Sequence, residues 1–116
     1  MPTGSRYLKY DIWSLKPPNR DAKPVVVIQN DRYSSDLGTV IVCPLLPFQE
    51  IHKKTPEYRF AIIGGMNGLP ADQEFVAVVD QIFSARKNFF SEKHGELQQE
   101  YREKLDDAIR RMLVNS

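Results

Sequence analysis

The chain has 116 residues, of which 41% are hydrophobic and 27% are charged, an ordinary composition for a soluble globular protein. This length suits one domain and is too short for two, so we expect residues 1–116 to form a single domain. The formal net charge of +1 excludes a strongly basic field over the whole surface. A nucleic-acid partner would therefore have to be held by a local patch of charge.

The sequence carries no sign of export or of membrane insertion. Met1–Arg6 lacks the apolar stretch of a signal peptide, and no apolar run approaches the about 20 residues that span a bilayer. Cys43 is the only cysteine and lies inside the apolar run Val40–Leu46, a setting that favours a buried thiol over a nucleophile or ligand. Because a chain without disulfides suits a reducing compartment, we expect a cytoplasmic protein with no membrane partner.

The first half of the chain alternates apolar runs with polar turns, which predicts strands. Aromatic and β-branched residues predict a strand over Tyr7–Leu15, and Lys16–Asp21 ends it, because it holds two prolines and turn-forming residues. The run Pro24–Gln29 is typical of a strand buried on both faces. Thr39–Leu46 is a second such run, and Pro44 within it predicts a bulge or an exposed edge.

The second half adds two predicted strands and a helix. Tyr58–Ile63 and Phe75–Ile82 are apolar enough for strands, and the glycine-rich Gly64–Pro70 between them is typical of a hairpin connection. From Glu96 onward one apolar stripe recurs at helical spacing, formed by Leu97, Tyr101, Leu105, Ala108, Ile109 and Met112. Strands followed by a helix predict a mainly β (α+β) fold, a small curved sheet or barrel with a C-terminal amphipathic helix packed on it.

The order of the short motifs is similar to that of one known family. Asp11–Trp13 lies on the first predicted strand, and Lys23–Asp31 (KPVVVIQND) forms the second with the polar loop after it. Thr39–Leu45 forms the third, and Val78–Ile82 holds an Asp-Gln pair before the final helix. This series resembles the MazF/PemK toxins of type II toxin–antitoxin systems. The resemblance implies an SH3-like barrel, a homodimer, and neutralisation by a cognate antitoxin whose extended tail covers the active groove.

The resemblance also implies an activity, the metal-independent cleavage of single-stranded RNA to a 2′,3′-cyclic phosphate and a 5′-hydroxyl. Such cleavage needs a proton acceptor, charge for the pentacoordinate phosphate and a proton donor. In MazF-like enzymes an Arg before the second-strand proline and a Thr or Ser ending the third strand supply much of this. Here these positions are Lys23 and Leu46. Lysine keeps the positive charge but lacks the planar guanidinium with which arginine holds two phosphate oxygens at once. Leucine has no group that can transfer a proton.

Candidate site residues cluster around these motifs. Arg20, three positions before Lys23, can replace the missing guanidinium, although the alternative is an ordinary solvated loop residue. We predict Lys23, Arg20 and Asp80 as candidate catalytic residues, with a groove-shaping role favoured for Asp80, since a carboxylate after an apolar strand needs hydrogen-bond partners. The candidate RNA-binding residues are Arg20, Lys23, Gln81, Arg86, His52 and Lys53.

The sequence predicts no metal and no cofactor. His52 and His94 are the only histidines, and neither has the spacing of a zinc site. The glycines of Gly64–Gly68 lack the Lys-Ser/Thr of a phosphate-binding loop. The chemistry therefore has to come from the side chains themselves.

A second function class stays open. The gyrase-poisoning CcdB toxins share the implied fold, and Val42–Leu45 fits their third strand at least as well. Their activity depends on a C-terminal Trp-Gly-Ile, whereas this chain ends with Met112–Ser116 (MLVNS), which weighs against gyrase. Leu46, in contrast, favours a toxin that does not cleave RNA. The alternatives are therefore an endoribonuclease and a non-catalytic toxin that binds DNA gyrase or another protein.

Overall fold

The structure, a computed structural model, describes residues 7–29, 38–47, 59–63, 69 and 74–113. Within these residues it contains seven strands and one α-helix: β1 Asp11–Leu15, β2 Lys23–Val27, β3 Thr39–Pro47, β4 Arg59–Ile63, β5 Glu74–Val78, β6 Phe83–Arg86, β7 Phe90–Glu96 and α1 Gln99–Leu113. Single 3-10 turns at Val79–Gln81 and Lys87–Phe89 precede β6 and β7. The predicted mainly β (α+β) fold with a C-terminal helix is confirmed.

The strands form one antiparallel sheet in the order β4-β5-β3-β2-β1-β7, with β6 also paired to β3. The strand β3 contacts three partners in succession. Thr39–Val42 pair with β6, Val42–Pro44 pair with β2, and Leu45–Pro47 pair with β5. In the part of the chain that the structure describes, β4 and β7 end the sheet without pairing to each other, so it is an open curved sheet rather than a closed barrel.

Pro44 marks the point at which β3 changes partner. It is in register with Val25 of β2, whereas the next residue, Leu45, is in register with Ala77 of β5. A proline has no N–H for a ladder and is tolerated where a ladder ends. Pro44 therefore lies where one ladder gives way to the next, and the bulge or exposed edge at this residue stays a prediction.

Two predicted strand boundaries are wrong. β1 begins at Asp11 rather than Tyr7, because Tyr10 has a φ of 78°, which a strand cannot accommodate. The strand predicted over Phe75–Ile82 ends at Val78 and is followed by the 3-10 turn. The sequence did not predict β6 or β7, because β7 is mostly exposed and charged and has no apolar period. The predicted turn Gly64–Pro70 lies outside the described residues except for Leu69.

The buried side chains form two clusters on the two faces of the curved sheet. Val26 belongs to the first cluster and its neighbours Val25 and Val27 to the second, as the alternation of side chains along a strand requires. The helix covers the first cluster, where its residues Tyr101, Leu105 and Ala108 are buried. The predicted apolar stripe is therefore confirmed, and each buried Leu contributes about 1.5–3 kcal/mol of transfer free energy.

Tyr10 joins three elements at one point. Its N–H donates to the carbonyl of Val27 at 2.8 Å, and its carbonyl accepts from Leu97 at 2.8 Å. Its hydroxyl donates to Asp106 Oδ2 on α1 at 2.6 Å, and Lys9 Nζ lies 3.3 Å from the other oxygen of that carboxylate. These bonds offset the cost of the left-handed backbone, which is about 1–2 kcal/mol.

Removing the Tyr10 hydroxyl is expected to destabilise the fold. Tyr10→Phe deletes the bond to Asp106, and a hydrogen bond to a charged group contributes about 1.5–3 kcal/mol. We expect a loss of this size in the free energy of unfolding, measured by urea denaturation. Tyr101→Phe, on the buried face of α1, is the matched control and should change stability less. Equal losses in the two variants would contradict the role given to Tyr10.

The thiol of Cys43 is expected to be inert in the folded protein. Cys43 is fully buried in the first cluster, and burial, together with the negative charge of Asp80, raises its pKa to about 12. Alkylation by iodoacetamide should be at least about 100-fold slower in the native protein than in urea, since the reagent reaches the thiol only when the core opens.

The buried thiol also makes the stability of the fold depend on pH. As the pH rises above the pKa of the Cys43 thiol in the unfolded chain, the unfolded state ionises first, so the free energy of unfolding should fall between about pH 9 and 12. Cys43→Ala should lose this part of the alkaline decline, and rapid native labelling at pH 8 would overturn the assignment.

Candidate nucleic-acid interface

A cleft lies between the β1–β2 connection, residues Pro44–Leu46 of β3 and the start of β6. Its volume is about 310 Å³, at the lower end of the range for small-ligand sites. Much of its wall is apolar, including Leu15, Pro24, Pro44, Leu46 and Phe83. Its polar side chains are Arg20, Asp21, Lys23 and Gln81. The cleft therefore has an apolar wall and a charged rim.

A more open depression adjoins the cleft on its charged side. It is bounded by Lys16, Asn19, Arg20, Asp21 and Lys23, so the two depressions share three residues. Three cations and one carboxylate gather here in a chain whose net charge is only +1. A positive patch of this kind attracts phosphates locally.

A tight turn holds Arg20 at the rim. The N–H of Arg20 donates to the carbonyl of Pro17 at 3.3 Å, and Asn19 has a φ of 62°. Proline at the second position (Pro18) and asparagine at the third are typical of a type II turn, because proline presets φ and asparagine tolerates the left-handed region. Lys16 Nζ also donates to the carbonyl of Arg20 at 3.0 Å, which fixes the backbone from which the guanidinium projects.

Lys23 opens β2 directly beside this turn. It is in register with Leu15 of β1, so its backbone is fixed by the ladder. Both Lys23 and Arg20 are exposed, and each can meet a phosphate without first paying a large desolvation penalty. The ladder and the turn thus place two cations on the same side of the cleft.

The 3-10 turn between β5 and β6 brings Gln81 into the cleft. Asp80, in the same turn, is exposed and does not line the cleft. It lies close enough to the buried thiol of Cys43 for its charge to raise the pKa of that group. Both roles named for Asp80, catalytic and groove-shaping, stay predictions.

The predicted site residues thus divide into three groups. Arg20, Lys23 and Gln81 come together in one cleft. Arg86 lies at the opposite end of β6 from Phe83, in register with Thr39, and does not line the cleft. His52 and Lys53 lie outside the described residues.

Asp21 and Phe83 are among the cleft residues that the sequence did not predict. Asp21 lies between Arg20 and Lys23 in the chain, and this proximity to the two candidate cations is a signal that could have found it. Phe83 gave no such signal, because its position depends on the pairing of β6 with β3, which places it opposite Val42. Leu46, the position at which the resemblance implies a hydroxyl, is half-buried in the cleft wall.

The remaining described histidine has a partner outside the cleft. His94 Nε2 lies 2.5 Å from Ser14 Oγ, across the β1–β7 pair. Among the described residues, no three His, Cys, Asp or Glu side chains are grouped so that they could hold one metal ion. In the same residues, the structure has no helix with the length and apolarity needed to cross a membrane.

Several solved structures share this fold. An endoribonuclease in complex with its cognate antitoxin, from a mycobacterial species, is similar with a TM-score of 0.74 and 19% identity, over 91% of this chain and 93% of that chain. The Mycobacterium tuberculosis toxin MazF-mt6 matches with a TM-score of 0.73 and 19% identity, over 88% and 94%. The MazE-MazF structure from Deinococcus radiodurans (Form-II) matches with a TM-score of 0.75 and 13% identity, over 96% and 98%.

At these identities, structural likeness establishes the fold alone. The comparison with curated proteins found no match. A family model described as PemK-like, MazF-like toxin of type II toxin-antitoxin system matches residues 9–113, which include the cleft and the helix. The chain belongs to this family of PemK-like, MazF-like toxins.

Proposed function

We propose that this toxin cuts single-stranded RNA without a metal ion, as a single-domain chain that forms a homodimer in the cytoplasm. The observation that carries the proposal is the meeting of Arg20, Lys23 and Gln81 in one cleft. Family membership sets the class of protein, and two of the similar structures are described as endoribonucleases.

The charged rim supplies the binding of the RNA backbone. Arg20 presents a planar fork that can hold two phosphate oxygens at once, whereas Lys23 acts as a compact point charge. Lys16 adds a third cation at the outer depression. Binding through these groups displaces counterions from the RNA, so affinity should fall steeply as salt increases.

The cleft residues can divide the chemical step between them. The 2′-oxygen forms a bond to phosphorus, and the bond from phosphorus to the 5′-oxygen breaks. A base accepts the proton of the 2′-hydroxyl, and an acid donates a proton to the leaving 5′-oxygen. Arg20 keeps its proton and stabilises the charge of the pentacoordinate phosphate. Lys23 can also give a proton to the leaving oxygen. Asp21 lines the cleft and is the group we assign to accept the 2′-hydroxyl proton, with Asp80 supporting the turn that carries Gln81.

The cognate antitoxin is proposed to act at the same cleft. Two of the similar structures are described as complexes of such toxins with antitoxins. An extended acidic segment would meet the cations of the rim and compete with RNA for them. Neutralisation would then need no conformational change in the toxin.

The first test is RNA cleavage in the presence of EDTA. Purified protein should cut a mixed-sequence RNA and leave 2′,3′-cyclic phosphate ends. Arg20→Ala and Lys23→Ala should each lower the rate about 100-fold or more, because each removes a charge from the transition state. Arg110→Ala is the matched control, since Arg110 is exposed on α1 and away from the cleft, and it should retain the wild-type rate.

A second candidate function follows from Leu46 in the cleft wall, which brings no hydroxyl. In this alternative the protein is a non-catalytic toxin that binds DNA gyrase or another protein. Growth arrest on expression, with no RNA cleavage by the wild type, would support it. A gyrase supercoiling assay would then separate gyrase from other targets.

Restoring a hydroxyl at Leu46 should speed the reaction. Leu46→Thr places a proton-transferring group on the cleft wall beside the rim. A hydroxyl is a weak acid, so we expect a gain on the order of 10-fold, below that of a well-matched acid or base. Leu46→Val is the matched control and should give no gain. Activity that appears only in Leu46→Thr would indicate that the wild type does not use catalysis.

A further inference from the structure

We propose that Phe83 and Gln81 form a subsite for one unpaired RNA base, with the ring of Phe83 as its stacking surface. The inference rests on the proposed function, because it assigns the RNA a register in the same cleft. The base lies against the apolar wall while its phosphate lies at the charged rim. Phe83 and Gln81 are then specificity-determining residues rather than catalytic ones.

The first observation is the exposure of Phe83. Its side chain is 41% exposed, and among the described residues only Ile41, at 39%, is a comparable exposed large hydrophobic. The two differ in position, because Phe83 lines the cleft and Ile41 does not. An exposed aromatic ring at the edge of a basic groove is the kind of surface on which proteins stack unpaired bases.

The second observation is the division of the cleft into two chemical halves. Pro24, Pro44 and Leu46 form an apolar wall, and Arg20 and Lys23 form the charged rim. A free phosphate would leave the apolar wall uncovered, and an apolar peptide would leave the cations without a partner. A nucleotide combines a flat, largely apolar base with an anionic group, and so it matches both halves.

The third observation is the size of the cleft and its amide. A volume of about 310 Å³ suits one small ligand rather than a duplex, so the base must be unpaired. Gln81 lines the same cleft and offers both donors and an acceptor. A base has donors and acceptors along its edge, which the amide can distinguish, whereas stacking on Phe83 accepts every base.

The experiment measures binding separately from cleavage. The probe is a fluorescently labelled 2′-O-methyl oligonucleotide, which has no free 2′-hydroxyl and is not cut, and affinity is read by anisotropy. A set of probes carries a single abasic site at each position in turn. For the wild type, one position should weaken binding about 5- to 100-fold when its base is removed, the range of one stacked base.

The variants test whether Phe83 contacts that base. Phe83→Ala should weaken binding of the intact probe by a similar factor and should abolish the penalty at the abasic position. Phe83→Tyr keeps the ring and should bind within about 2-fold of the wild type. Ile41→Ala is the matched exposed control and should leave both affinity and the abasic profile unchanged.

Each other outcome has a distinct meaning. Equal binding by wild type and Phe83→Ala, or a flat abasic profile, overturns the subsite while cleavage of unmodified RNA still supports the proposed function. A normal abasic profile without cleavage supports the subsite and contradicts the proposed catalysis. Size-exclusion chromatography checks the oligomeric state of each variant. If Phe83→Ala lowers binding and also changes the oligomeric state, then Phe83 is a subunit contact and the inference is wrong. Failure of the wild type to bind the probe also overturns it.

Discussion

The pairing of β3 with three strands is the constraint on which the sheet and the cleft both depend. Its first residues pair with β6 and its middle with β2, and its last three pair with β5. The change of partner falls at Pro44, and Pro44 itself is part of the cleft wall. Because residues of the β1–β2 turn and of the 3-10 turn line the same cleft, residues distant in sequence meet there.

The sequence predicted the parts of the fold that carry an apolar period. The runs in β2 and β3 and the stripe on α1 are recognisable because burial on defined faces dictates their residue types. β7 could not be predicted, because none of its residues is buried and its sequence therefore shows no apolar period. It is held in the sheet by pairing with β1. The left-handed Tyr10 is also invisible in sequence, because bonds to Val27, Leu97 and Asp106 impose it.

The candidate site was predictable in part, since Arg20, Lys23 and Gln81 were selected from the sequence and Phe83 was not. Arg20 and Lys23 lie three residues apart in one turn, so a local argument brings them together. Phe83 enters the cleft through the register of β6 against β3, which no short stretch of sequence specifies. The proposed binding of RNA is compatible with a net charge of only +1, since the cations of the rim are concentrated at one turn.

The two halves of the cleft come from two separate turns, the 3-10 turn and the β1–β2 turn, and this separation bears on how such toxins diversify. The cations proposed to hold the RNA backbone come from one short segment, and the residues proposed to meet the base, Gln81 and Phe83, come from another. Ile82 between them packs against the first core cluster and anchors that segment. Under the proposed function, substitutions on either side of Ile82 would change which transcripts the toxin cuts while its contacts to the sugar–phosphate chain stay the same. Sequence preference could then drift under selection without loss of potency.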